Sequence, residues 1–174
     1  MDIRIASIID ESFVDGDGIR VAIFLQGCPH NCKGCHNPST HDFNGGTVID
    51  TEQLIKKFNS NPIISGITLT GGEPLCQIMA ATELAIAAKS SNLSVWCYTG
   101  YTYEYLSNDN FEMNQFFNRD QINNFFDYID VLVDGPFIES QRDLTMQFRG
   151  SKNQRLIDLQ RTRKYKKIIA WSPR

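Results

Sequence analysis

The chain has 174 residues, of which 41% are hydrophobic, a size and composition typical of one domain with a single core. Its net charge of −3 is unevenly spread: residues 1–150 carry 9 Lys and Arg against 19 Asp and Glu, whereas residues 151–174 carry 8 against 1. The net negative charge of residues 1–150 argues against nucleic acid as the main ligand. The sequence has no run of about 18 apolar residues that would predict a membrane span.

The cysteine content points to a reducing compartment. Residues 1–20 lack the basic start and apolar core of an export signal, so we expect a cytoplasmic protein. Thiols stay reduced there, and the five cysteines are better explained as metal ligands than as disulfides.

Apolar, β-branched runs alternate with helical patterns along the chain. The predicted strands are residues 19–26, 67–70, 93–98 and 129–133, and the predicted helices are residues 51–58 and 76–89. This alternation predicts an α/β fold with right-handed crossovers and a mainly parallel sheet with flanking helices, an open or partial β/α barrel. Ligands of such sheets bind beyond the carboxyl ends of the strands, and each motif below follows a predicted strand.

Three cysteines lie close together after the first of these strands, in the segment GCPHNCKGCHNP. Cys28, Cys32 and Cys35 are separated by three and then two residues, and glycine and proline let the short loop wrap around one metal centre. A cubane iron–sulfur cluster usually takes four cysteines, so three would leave one iron open to a substrate. The spacing therefore predicts a [4Fe-4S] cluster with one open iron.

Two other uses of these cysteines stay open. A closed zinc site would add His30, His36 or a distant cysteine, although zinc ligands normally come as two separated pairs and the chain has no second CxxC. An electron-transfer ferredoxin would need Cys76 or Cys97 as its fourth ligand. Both of these cysteines lie in apolar segments typical of core thiols.

The cysteine loop resembles the signature of the radical S-adenosylmethionine superfamily, whose cluster chelates that substrate through its unique iron. The superfamily usually has an aromatic residue before the third cysteine, whereas Gly34 in this chain resembles the glycyl-radical activating enzymes. Cys35, His36 and Asn37 are similar to the cysteine-aromatic-asparagine of that branch. The resemblance implies that Gly34, His36 and Asn37, which flank the third cysteine, line the adenosyl pocket.

A second motif, Thr70-Gly71-Gly72-Glu73-Pro74, follows the second predicted strand. Its glycines let a ligand lie against bare backbone. A phosphate loop is excluded because the Lys-Ser or Lys-Thr is missing, Glu73 would repel phosphate and Pro74 has no N–H. Carbonyl oxygens and a carboxylate suit an ammonium group, and the turn resembles the GGE motif by which the superfamily binds the amine of S-adenosylmethionine.

Three further segments resemble specific activating enzymes. Residues 134–137 (DGPF) and 149–155 (RGSKNQR) are similar to the branch that activates anaerobic ribonucleotide reductase, whereas pyruvate formate-lyase activases carry a lysine in place of Pro136. Residues 15–20 (DGDGIR) are similar to the DGPGxR of activating enzymes. That similarity implies that Arg20 contacts the partner protein. Asp17 stands where the motif has its proline, so the match at this segment is incomplete.

The resemblance covers roughly residues 12 to 156 and implies a radical S-adenosylmethionine domain over residues 1–156, with residues 157–174 as its basic C-terminal extension. It implies reductive cleavage of S-adenosylmethionine and hydrogen abstraction from a glycine of a partner protein. The expected partners are the large subunit of anaerobic ribonucleoside-triphosphate reductase and a flavodoxin-like or ferredoxin-like electron donor, with no nucleic acid and no membrane. No catalytic acid or base is expected, because the cofactor performs the difficult step.

Other functions remain open from the sequence. A related enzyme that acts on another glycyl-radical protein, or on a small molecule, would carry the same motifs. A zinc-stabilised binding module or an iron–sulfur electron carrier would use the same cysteines without radical chemistry. Metal content and cleavage of S-adenosylmethionine separate these classes.

Overall fold

The computed structural model describes residues 1–108 and 114–173, so Arg174, the last residue of the basic extension, lies outside the described residues. The strands are β1 Asp2–Ser12, β2 Arg20–Leu25, β3 Thr47–Asp50, β4 Gly66–Gly71, β5 Ser94–Tyr98, β6 Val131–Asp134 and β7 Arg155–Asp158. The helices are α1 Thr51–Asn59, α2 Ile78–Ser90, α3 Tyr103–Ser107, α4 Arg119–Phe126 and α5 Leu159–Tyr165. Within the described ranges, no helix is long and apolar enough to cross a bilayer.

All seven strands form one sheet in the order β3-β1-β2-β4-β5-β6-β7. The central strands β2, β4, β5 and β6 are parallel neighbours, whereas β1, β3 and β7 pair antiparallel with theirs. The sheet has β3 and β7 at its edges and therefore stays open. This architecture confirms the predicted α/β class with a mainly parallel core, and the four predicted strands are its four parallel strands.

The parallel strands are buried on both faces, as sheets with βαβ crossovers usually are. One face packs against α1, α2 and α4, whose apolar residues include Phe58, Leu84 and Phe125. The Ala-rich sequence of α2 lets it lie close to β4 and β5. On the other face, Trp96 packs against Phe148 and against Trp171 of the C-terminal segment.

Three strands were not predicted from the sequence, namely β1, β3 and β7, and all three are antiparallel. β1 is long but half-exposed, with acidic residues on its open face, and β3 and β7 have only four residues each. β7 begins inside the predicted domain and ends inside the predicted basic extension, and its main chain pairs with β6. Residues 155–158 therefore join the start of this extension to the sheet.

Arg20, at the start of β2, is fully buried. Its guanidinium donates hydrogen bonds to the Thr68 hydroxyl at 2.7 Å and to the carbonyls of Ile67 and Ser94 at 2.6 and 2.9 Å, and it lies 5.4 Å from the Trp96 ring centre. Burial lowers the pKa of Arg20 to about 10. The partner contact implied by the DGPGxR resemblance is therefore wrong for this residue, which instead holds β2, β4 and β5 together.

Replacing Arg20 with Met should lower the free energy of unfolding by ~3 kcal/mol, because buried carbonyls of β4 and β5 would lose charged donors. Urea denaturation followed by circular dichroism measures this change. Arg161→Met, at an exposed position, is the matched control and should shift stability by less than about 0.5 kcal/mol. Equal stability of the two variants would contradict the role given to Arg20.

Candidate functional site

A cavity of about 660 Å³ lies beyond the carboxyl ends of the parallel strands. Its wall combines the cysteine loop, Thr70–Gly72 around the end of β4, Tyr98–Gly100 around the end of β5, and the loop that follows β6. Cys28, Cys32 and Cys35 all line this cavity, whereas Cys76 and Cys97 do not. The location beyond the strand ends is the one that the sequence predicted.

The predicted site residues fall into two groups. His36, Asn37, Gly71 and Gly72 line the cavity together with the three cysteines. Gly34 and Glu73 do not line it, although both belong to the loops that form its wall. Their contributions are indirect and come from backbone conformation and from hydrogen bonding.

Backbone N–H groups act on the three cavity thiols. Those of His30 and Asn31 lower the pKa of Cys28, and that of Phe137 lowers the pKa of Cys32, in both cases against a larger opposing effect of burial. The Asn37 N–H donates to the Cys35 sulfur at 3.4 Å. Such donors stabilise thiolates and tune the potential of iron–sulfur clusters.

The three cavity thiols are half-buried. Burial raises the pKa of Cys28 to about 11, and the nearby Glu73 carboxylate adds to the shift, while burial also raises the pKa of Cys32. The Cys28 thiol therefore stays protonated at neutral pH in the metal-free protein, and binding of a metal centre would displace its proton. Three inward-facing thiols with N–H donors fit a [4Fe-4S] cluster with three protein ligands.

The described residues contain no group of three or more His, Cys, Asp or Glu side chains arranged to hold a single metal ion. Cys97 is fully buried in the main core and donates to the Tyr98 carbonyl. Burial raises the pKa of Cys97 and of Cys76, and neither sulfur receives a backbone donor in the described structure. The interpretation of Cys97 as a core thiol is confirmed.

Gly71 and Gly72 bring the end of β4 against the start of the cysteine loop. A Cβ on Gly71 would lie 2.6 Å from the Leu25 nitrogen, and one on Gly72 would lie 2.4 Å from the Gly27 oxygen. The close approach allows the N–H groups of Gly72 and Glu73 to donate to the carbonyls of Leu25 and Gly27, both at 2.8 Å. The glycines therefore join the two motifs as well as exposing backbone to the cavity.

Glu73 is buried behind the cavity wall, with 1% of its side chain exposed. One oxygen, Oε2, accepts hydrogen bonds from His30 Nε2 at 2.8 Å, the Thr99 hydroxyl at 3.0 Å and the Gly100 N–H at 2.8 Å. The other oxygen, Oε1, accepts from the Leu75 N–H at 3.0 Å. Its donors His30, Thr99 and Gly100 all line the cavity, so this buried carboxylate fixes the cysteine loop against the end of β5.

Gly34 provides a left-handed turn between Cys32 and Cys35, with a φ of 73°. A Cβ at this position would lie 2.8 Å from the Glu139 carboxylate. An aromatic residue here would meet that carboxylate, which also pairs with Lys33 at 3.3 Å. The left-handed backbone therefore favours glycine at this position, whereas the exposed Glu139 side chain could move aside for a larger residue.

The DGPF and RGSKNQR segments form the remaining wall and are hydrogen-bonded to each other. Asn153 donates to the Pro136 carbonyl at 2.7 Å and Gln154 donates to the Gly135 carbonyl at 3.1 Å. Phe137 packs against His36, with ring centres 5.0 Å apart. The rings of His36 and Phe137 together form an aromatic corner of the cavity beside Cys35.

Sequence reasoning missed several wall residues. Thr99 and Gly100 follow a predicted strand without any motif, and His30 was considered only as a zinc ligand. Arg149 was part of a recognised segment, but its role was not visible: it lines the cavity, and its buried Nε has no hydrogen-bond partner among the described residues. The position of Thr99 and Gly100 directly after a predicted strand was the one sequence feature that could have indicated a place in the cavity wall.

Comparison with known proteins identifies one matching domain family and several relatives that share one name. Residues 14–157 match the 4Fe-4S single cluster domain. The chain is 33% identical over 149 residues to the anaerobic ribonucleoside-triphosphate reductase-activating protein of Haemophilus influenzae, covering 81% of this chain and 88% of that protein. The protein of the same name from Vibrio cholerae is 34% identical, covering 81% of this chain and 88% of that protein. The one from Enterobacteria phage T4 is 33% identical, covering 83% of this chain and 86% of that protein.

These matches overturn the two non-catalytic alternatives. The matched domain carries an iron–sulfur cluster, so the closed zinc site is wrong, and the relatives are activating proteins rather than electron carriers. The match includes the cysteine loop, the glycine turn and the DGPF and RGSKNQR segments. The chain therefore belongs to the family of anaerobic ribonucleoside-triphosphate reductase-activating proteins, within the radical S-adenosylmethionine superfamily.

Proposed function

We propose that this chain activates an anaerobic ribonucleoside-triphosphate reductase by cleaving S-adenosylmethionine reductively and forming a glycyl radical on the reductase large subunit. The observation that carries the proposal is the placement of Cys28, Cys32 and Cys35 in one cavity beside the bare backbone of Gly71 and Gly72. Cys28, Cys32 and Cys35 would hold a [4Fe-4S] cluster, which when bound would supply the electron for reductive cleavage of the S–C5′ bond of S-adenosylmethionine. The protein residues supply binding and orientation.

The cavity has groups that suit each part of S-adenosylmethionine. The carbonyl edge of Thr70–Gly72 suits the ammonium group, and the corner formed by His36, Asn37 and Phe137 suits the adenine ring. Arg149, with a buried Nε that lacks a partner among the described residues, suits the carboxylate. We assign Glu73 and Gly34 to positioning, because neither lines the cavity.

The mouth of the cavity suits a protein substrate. Phe13 and Val14 line it and are 66% and 74% exposed, and Leu144, two residues before the lining residue Met146, is 79% exposed. Exposed apolar residues grouped at a cavity are typical of a binding surface. A flexible segment that carries a glycine can enter here, because glycine has no side chain to block its Cα.

The proposed function also requires an electron donor and a compartment in which thiols stay reduced. The electron donor is a flavodoxin-like or ferredoxin-like protein, since reductive cleavage consumes one electron that the chain does not itself supply. The compartment is the cytoplasm, where free thiols persist, and all five cysteines of the chain are free.

The experiment that tests the function combines the reconstituted, reduced protein with S-adenosylmethionine and anaerobic ribonucleotide reductase. Electron paramagnetic resonance should detect a glycyl radical on the reductase, together with release of 5′-deoxyadenosine. Release of 5′-deoxyadenosine without a glycyl radical would instead favour a different glycyl-radical partner or a small-molecule substrate.

Cys32→Ala should abolish the cluster's visible absorbance and its iron content, because two remaining thiols cannot hold the cluster. Cys97→Ala is the control, since Cys97 lies in the core and outside the cavity, and it should keep both. Iron and sulfide analysis after anaerobic reconstitution checks the two variants. Full cluster content in Cys32→Ala would contradict the ligand assignment.

Glu73→Gln distinguishes positioning from direct binding of the ammonium group. The two carboxylate oxygens of Glu73 accept hydrogen bonds from four donors, whereas an amide has only one oxygen to accept them. The free energy of unfolding should therefore fall by ~2 kcal/mol, and binding of S-adenosylmethionine should weaken as well. Denaturation and equilibrium binding measure the two effects. Weaker binding with unchanged stability would show that Glu73 contacts the substrate directly.

Phe13→Asp should lower the affinity for the reductase about 10-fold, as expected from the loss of one buried aromatic side chain. The glycyl-radical yield at limiting reductase should fall, and reductase-independent release of 5′-deoxyadenosine should not change. Ile63→Asp is the control, because Ile63 is 53% exposed and precedes β4, at the opposite end of the parallel strands. Equal effects of the two variants would refute docking at the cavity mouth.

A further inference from the structure

The C-terminal segment presents a cluster of positive charges on the surface. The basic patch consists of Arg161, Arg163, Lys164, Lys166 and Lys167, on α5 and the turn that follows it. Arg163 pairs with Asp127 at 2.6 Å, but within residues 1–108 and 114–173 neither Lys166 nor Lys167 has a carboxylate within salt-bridge distance. One or two cations are enough to stabilise the C-terminus of a helix through its dipole. The five positive charges of the basic patch exceed that number, so helix stabilisation alone does not explain them.

A second cavity, of about 590 Å³, opens beside the basic patch. Arg119, Arg163, Lys166 and Lys167 line it, and Glu104 is the single acidic residue among its described lining residues. Glu104 is already engaged, because Arg155 donates to its two oxygens at 2.8 and 2.6 Å and this pairing lowers its pKa to about 2. Among the described residues, the lining of this cavity therefore carries a net positive charge, on a chain whose first 150 residues carry a net negative charge.

Helix α3 connects this basic cavity to the cysteine loop. Residues Tyr103, Glu104, Leu106 and Ser107 of this helix line the basic cavity. Tyr105, on the same helix, is 41% exposed and stacks on Tyr101, with ring centres 5.3 Å apart.

Tyr101 in turn contacts His30 edge-on, with ring centres 4.5 Å apart. His30 lies between the ligands Cys28 and Cys32, and both His30 and Cys28 line the catalytic cavity. A continuous series of ring contacts thus leads from the cluster loop to a helix that borders the basic cavity. Electron tunnelling is faster through atoms in contact than across gaps, so these ring contacts suit electron transfer from this side of the molecule to a cluster on the three thiols.

We propose that the basic patch and its cavity form the docking site for the electron donor, a small acidic one-electron carrier protein. This inference rests on the proposed function, which requires such a donor. When the carrier docks, it is oxidised by one electron and the cluster held by the three cysteines is reduced by one electron. Complementary charge brings the two proteins together quickly and lets them separate after transfer.

Charge and position both favour this occupant over others. The reductase must reach the catalytic cavity through the mouth at Phe13 and Val14, and the linings of the two cavities have no residue in common. A polyanion such as nucleic acid would meet the acidic body outside the patch. A carrier protein with one acidic face matches a positive surface of this limited extent and can bind while the reductase is in place.

The test uses the double variant Lys166→Glu/Lys167→Glu in the cluster-loaded protein, with a purified flavodoxin as the probe. The dissociation constant for oxidised flavodoxin should rise about 10-fold or more at low salt, and the salt dependence of binding should become shallower. Stopped-flow reduction of the cluster by flavodoxin hydroquinone should slow accordingly. Reduction by dithionite, 5′-deoxyadenosine release with dithionite, and glycyl-radical formation with dithionite should match the wild type.

The matched control is Lys56→Glu/Lys57→Glu, an adjacent exposed pair on α1 with the same change in net charge. Equal weakening of flavodoxin binding by the two double variants, or no weakening by either, would overturn the proposal. A loss of glycyl-radical formation with dithionite would also overturn it, because the patch would then serve the reductase. Failure of the wild type to release 5′-deoxyadenosine with dithionite would count against the proposed function alone, since flavodoxin binding is measured separately.

Discussion

The site depends on one buried carboxylate. Glu73 joins three separate parts of the chain: its own turn after β4, the cysteine loop through His30, and the end of β5 through Thr99 and Gly100. A buried charge is tolerated only where hydrogen bonds replace water, and here each oxygen has such partners. The same network fixes the loop that carries Cys28, so the position of the proposed cluster ligands depends on a residue that does not line the cavity.

The hydrophobic sequence pattern predicted the centre of the fold and not its edges. Continuous apolar runs are characteristic of parallel strands buried on both faces, and they marked β2, β4, β5 and β6. The strand β7 has four residues and lies between two segments that were interpreted as a motif and a charged tail. Helix α4 lies in a polar stretch, yet Ile122, Phe125 and Phe126 at helical spacing and the capping residue Asn118 were signals for it.

The site was predictable where chemistry requires particular residue types at fixed spacing. Three thiols in eight residues predict a metal centre, and the structure places them in one cavity. Glu73 was expected to face the ligand because its motif resembles an ammonium-binding turn. The structure places it behind the wall, since its partners Thr99 and Gly100 come from a different strand, and contacts between strands leave no local sequence signal. Arg149 was likewise assigned to the cavity only once the loops could be seen together.

Cys28, Cys32 and Cys35 would leave one iron of a [4Fe-4S] cluster free for the substrate. Electron–nuclear double resonance on the reduced cluster, with S-adenosylmethionine labelled with ¹⁵N at its amino group, measures this most directly. We expect a hyperfine coupling between the cluster and the labelled nitrogen in the wild-type protein. An absence of ¹⁵N coupling, together with a coupling to a histidine nitrogen of the protein, would contradict it, because the fourth iron would then be held by a side chain.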